Sequence, residues 1–153
     1  MTTAGRLENA IETVYAAMAK HTLASSEWCS HCYQPEEIEF LRKTLVRELD
    51  DRWAMRLLRE VGDHFPSSET YRHFLPRILE VLGPPAWAED LFPGHLVETL
   101  VSNDFFRWPD DERTCVIEYL NAYSDAAEWP DEEEAEAWAR GIQRLKDGPL
   151  RLP

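Results

Sequence analysis

The sequence predicts an all-α chain, one domain over residues 1–153, built as a bundle or curved stack of about seven short-to-medium helices. Three observations carry that expectation. Apolar residues recur at helical spacing in several separate stretches. No stretch alternates strictly enough to read as a strand. The pentapeptides Trp108-Pro109-Asp110-Asp111-Glu112 and Trp129-Pro130-Asp131-Glu132-Glu133 repeat one helix-start signal 21 residues apart.

Taken in order, Leu7, Ile11, Val14, Tyr15 and Met18 fall on one face of a first helix ending near Lys20. Pro35-Glu36-Glu37 starts the next: proline lacks the N–H left unpaired in a first turn, and acids there face the positive end of the dipole. Leu45, Leu49, Trp53 and Leu57 form an i, i+4 ladder, widened by Leu58 and Val61, which predicts a helix over residues 45–61 stopped by Gly62. Ser67-Ser68-Glu69-Thr70 caps a helix running through Tyr71, Phe74, Leu75, Ile78 and Leu79. Pro76 lies inside it, predicting a kink or a break after Leu75, because a proline clashes with the carbonyl four residues back. Residues 83–94, rich in Pro and Gly, read as an irregular connection with a short turn near residues 86–91. A short helix follows over residues 95–105, with Leu96, Val97, Leu100 and Val101 inward. The two Trp-Pro signals open the last two helices, and Ala135, Trp138, Ile142 and Leu145 stripe the second before Gly148-Pro149. The repeated tryptophan is expected to pack each helix start onto its neighbour.

Composition narrows the function classes. A hydrophobic fraction of 44% excludes a disordered chain, and apolar runs too short to span a bilayer argue against membrane insertion. The start of the chain runs into an amphipathic pattern rather than a signal peptide, and three cysteines suit a reducing cytoplasm. Net charge is −13, with 12 acidic and 5 basic residues over positions 109–153. Such a surface repels phosphate backbones, so no nucleic acid is expected as partner; it suits solubility or a basic protein partner. The basic stretch of Arg42, Lys43, Arg47, Arg52, Arg56 and Arg59 is expected either to dock on the acidic C-terminal half or to stay solvated, ahead of serving a partner.

The segment Trp28-Cys29-Ser30-His31-Cys32 is the densest in chemistry-bearing residues. Three readings compete. A thioredoxin-like redox pair needs its first thiol at a helix start after a strand, and no strand precedes Trp28. A zinc site would use Cys29, Cys32 and His21, completed by His31, Cys115, His64 or His73. The favoured reading makes Cys29 and Cys32 small buried hydrophobes between the first two helices, with no cofactor bound. A second dense segment places His73, Arg77 and Glu80 on one helix face, where they could grip an anion, assist proton transfer, or orient the helix through loop carbonyls. The last is favoured, and no catalytic residue is assigned.

The Cys-x-x-Cys pair, the segment His73-Phe74-Leu75-Pro76-Arg77-Ile78-Leu79-Glu80 and Trp108-Pro109 together resemble a group of uncharacterised bacterial proteins that carry the same three features. The resemblance covers roughly residues 28–124 and implies a bacterial, cytoplasmic protein. It supplies no catalytic residues.

The expected function is a non-enzymatic, acidic protein-binding module, of which immunity or antitoxin-like neutralisation of a basic partner is one form. An aromatic patch of Tyr123, Trp129 and Trp138 rimmed by acids would serve it, although their helical spacing favours core positions, with His73 and Arg77 as further binding candidates. The alternative is a zinc-stabilised helical domain using Cys29 and Cys32.

Overall fold

A computed structural model describes residues 2–23, 28–60, 67–82 and 94–149. Among the described residues seven α-helices follow in order: α1 Thr3–Met18, α2 Pro35–Lys43, α3 Asp51–Glu60, α4 Ser68–Glu80, α5 Gly94–Ser102, α6 Asp110–Ala126 and α7 Glu132–Asp147. Two 3-10 turns, Val46–Glu48 and Phe105–Arg107, lie between them. The fold is all-α; no strand occurs among the described residues, and none of their helices is long and apolar enough to cross a membrane.

Helix α4 is the central element. Its Tyr71, Phe74, Leu75, Ile78 and Leu79 are completely enclosed, each contributing about 1.5–3 kcal/mol by removal from water. Around it, α1 lies against α4 and most extensively against α6, α3 packs on α4, and α7 covers α5 and α6. Gly141 of α7 lets that last contact close, since a Cβ there would stand 2.9 Å from Cγ2 of Val97.

Local chemistry sets the helix starts. The Thr2 hydroxyl accepts from Gly5 N–H at 3.0 Å, Ser67 Oγ from Thr70 N–H at 3.1 Å, and Asp131 Oδ1 from Glu134 N–H at 2.8 Å. Each satisfies a first-turn donor that has no partner within its helix. Both Trp-Pro signals work alike: the indole N–H of Trp108 donates to the carbonyl of Asn103 at 2.9 Å, and that of Trp129 to Ser124 at 3.0 Å. In each case the ring stitches a new helix to the chain five residues upstream.

One helix expectation is corrected, and of the two outcomes expected at Pro76 the break does not occur. Residues 45–61 do not form one helix. Leu45 and Leu49 are extended, the Val46–Glu48 turn intervenes, and α3 begins only at Asp51. The Asp50 carboxylate accepts from Trp53 N–H at 2.9 Å, starting a helix where the apolar ladder read through. Gly62, the expected stop, lies outside the described residues, as do 83–93 of the irregular connection. Nor does the chain break at Pro76; α4 continues to Glu80. Proline forfeits one backbone hydrogen bond, and the enclosed side chains on both sides of it outweigh that loss.

The basic stretch also docks differently from expectation. Arg56 donates to the Glu37 carboxylate and the Cys32 carbonyl. Arg47 grips Glu12 through two hydrogen bonds, at 2.9 and 2.6 Å. These cations tie α3 and the 3-10 turn to the N-terminal half.

Candidate functional site

Two constellations are candidates: a buried carboxylate and an open groove. Glu112, in the first turn of α6, has no exposed side-chain surface. Its Oε1 lies 2.7 Å from His21 Nε2 and accepts from Arg72 Nη1 at 3.1 Å; its Oε2 meets Lys20 Nζ at 3.3 Å. The cluster therefore joins the end of α1, the start of α4 and the start of α6. Burial raises the affinity of this carboxyl for a proton, but the bonds from His21 and Arg72 and the nearby Lys20 outweigh it, so its pKa falls below the ordinary glutamate value. Arg72 also sits over the Trp108 ring, 5.2 Å from its centroid. The neighbouring Cys115 thiol is pushed up to about 12 by burial and by the charges of Glu112, Asp111 and Glu118. None of the Lys20, His21, Arg72 and Glu112 side chains lines the groove between α1 and α4.

The groove has a volume of about 880 Å³ and lies between α1, the 42–47 segment and α4. Met18, Ala19 and Leu23 line it from the end of α1, Leu45 and Val46 from the 42–47 segment, and His73 and Pro76 from α4. Leu45 stands 68% exposed on the lip. At one end, the bidentate Arg47–Glu12 pair lies across the Tyr15 ring, with the guanidinium 3.7 Å from its centroid. Burial, then the hydrogen bond to Glu80, raise the Tyr15 pKa, so the phenol stays a neutral donor. Arg42 and Lys43 make the rim cationic; Lys43 pairs with exposed Glu39 at 3.2 Å, whereas Arg42 has no ion-pair partner among the described residues.

His73 faces this groove with a defined tautomer. Its Nδ1 lies 3.0 Å from the carbonyl oxygen of His21, which can only accept, so Nδ1 carries the proton and Nε2 of the neutral ring is an acceptor. Arg77 does not join it. Its Nε donates to the Leu49 carbonyl at 2.7 Å and its Nη1 to Glu80 at 2.5 Å, holding the segment that builds the groove wall. His73 and Arg77 thus orient α4 against two loops, and the anion grip is not assembled.

The remaining expected residues lie away from the groove. Trp138 is 2% exposed and donates to the Leu120 carbonyl at 3.1 Å. It packs with Tyr123 and Trp129, ring centroids 5.1 and 5.7 Å away, so these aromatics cluster toward the interior. Cys29 and Cys32 are half-buried, not buried, with sulfurs 3.1 Å apart. His21 points to Glu112, so the Cys29, Cys32 and His21 set is not gathered. No group of three or more His, Cys, Asp or Glu among the described residues could hold a metal ion. His64 lies outside them.

Comparison with protein-family models, with curated proteins and with solved structures finds no match for the chain.

Proposed function

We propose that this chain is a non-enzymatic binding module whose groove receives an amphipathic helical segment of a partner protein. Apolar side chains of that segment enter between Met18 and Leu45, and its acidic side chains meet Arg42 and Lys43. The observation carrying this reading is an apolar groove of about 880 Å³ with a large aliphatic side chain, Leu45, left in solvent at its lip. Concave, mostly apolar sites of this size, edged by a few polar groups, are where ligands bind, and helix-in-groove recognition uses such a surface. A cationic rim on a chain of net charge −13 selects the local sign of the partner.

Selection of a displayed library of helical peptides against the full chain tests this. Enriched peptides are expected to share apolar residues at i, i+3 or i+4, and i+7, flanked by Asp or Glu. Leu45→Asp is expected to weaken them on the order of 30-fold, as for loss of a central anchor. Its helical content should be unchanged, because Leu45 contributes little to the core. Enrichment of basic peptides that bind Leu45→Asp as well as the parent chain overturns the groove reading. It would favour the acidic surface and a basic partner of the immunity or antitoxin type.

A further inference from the structure

We propose that Cys29 and Cys32 form a thiol–disulfide exchange site that closes to an intramolecular disulfide at the expense of a low-molecular-weight disulfide such as oxidised glutathione. The inference is independent of the groove. The two sulfurs lie 3.1 Å apart and both residues are half-buried, with exposed Ser30 and His31 between them. Backbone bonds from Cys32 N–H (3.3 Å) and Tyr33 N–H (3.1 Å) to the Cys29 carbonyl define the turn that presents them. Such a turn holds its end Cα atoms within about 7 Å, which meets the range a disulfide spans. Closing the bond to about 2.0 Å asks about 1 Å of sulfur movement and no rearrangement of the helices.

The turn is anchored on both sides. Tyr33 is buried, with Trp28 edge-on at 5.2 Å and the Arg56 guanidinium 4.9 Å from its ring centroid. Arg56 also donates to the Cys32 carbonyl and to Glu37 in the first turn of α2. The fold has therefore already spent the entropy of bringing the two thiols together. One thiolate attacks the small disulfide, forming a mixed disulfide and releasing one small thiol. The second protein thiol, losing its proton, displaces the other small thiol. The protein is oxidised by two electrons, and one disulfide is reduced to two thiols. The pair precedes α2 instead of capping a helix after a strand, so it is a stoichiometric site, not a turnover catalyst. Cys115 is the internal control: it is buried, and its thiol resists deprotonation.

The test is to incubate the reduced full chain with oxidised and reduced glutathione over a range of ratios, then measure intact mass and free thiols. At the oxidising end, the chain is expected to lose two hydrogens and keep one of its three thiols, with peptide mapping placing the bridge between 29 and 32. Cys29→Ser is expected instead to retain glutathione as a mixed disulfide on Cys32. Three persistent thiols, glutathione adducts without a bridge, or a bridge involving Cys115 each overturn the proposal. Mapping of the parent chain decides the matter alone if the variant does not fold.

Discussion

Glu112→Ala is expected to lower the free energy of unfolding by about 3–5 kcal/mol, the range for removing one partner of a buried ion pair. Three cationic or protonatable side chains converge on that carboxylate, Lys20 and His21 from just beyond α1 and Arg72 from α4, and alanine leaves them facing one another. Glu112→Gln is the sharper variant, because it keeps the volume and removes only the charge. The folded-state pKa of Glu112 lies below its unfolded value of about 4.3. Its charge therefore stabilises the fold fully above the unfolded pKa, and that contribution disappears as pH falls through the folded pKa. Denaturant unfolding at neutral pH should show a large gap between parent and Gln variant, narrowing as the solution is acidified through the carboxylate range. A gap that is constant with pH, or below 1 kcal/mol at neutrality, contradicts the role assigned to this cluster.

Trp138→Ala is expected to cost a similar amount, about 3–5 kcal/mol, as for other buried aromatic truncations. The indole packs between α6 and α7 and donates a further bond to the Leu120 carbonyl. Trp138→Phe keeps an aromatic ring there and loses only the indole N–H bond to a carbonyl that stays paired within α6, so a smaller loss of about 0.5–1.5 kcal/mol is expected from the missing bond. Chemical denaturation separates the two contributions. Had this tryptophan been part of an exposed binding patch, both variants would unfold like the parent chain.

Much of the helical architecture was legible because burial imposes a 3.6-residue period on the chain. Ile11, Val14, Tyr15 and Met18 show it plainly, and so do Trp138, Ile142 and Leu145. The ladder through Leu45, Leu49, Trp53 and Leu57 misled for the same reason. Period alone cannot see that Asp50 caps a new helix, although an aspartate just before that stripe was the available signal. Glu112 and Glu133 occupy the same place in two near-identical pentapeptides, yet one is buried and the other exposed. The difference lies downstream: Cys115, Val116, Tyr119 and Tyr123 continue the face of Glu112, whereas the Trp138–Ile142 stripe does not include Glu133. The groove was illegible. It is assembled from three segments distant in sequence, and its exposed leucine belonged to a helix that does not form there.

Chemical-shift mapping on the isotopically labelled full chain tests the groove most directly. The probe is an acidic amphipathic helical peptide selected as described above. Perturbations are expected to concentrate on Met18, Ala19, Leu23, Leu45, Val46 and His73, and to vanish with Leu45→Asp. Perturbations confined to the acidic first turn of α7, at Glu132, Glu133 and Glu134, would contradict it.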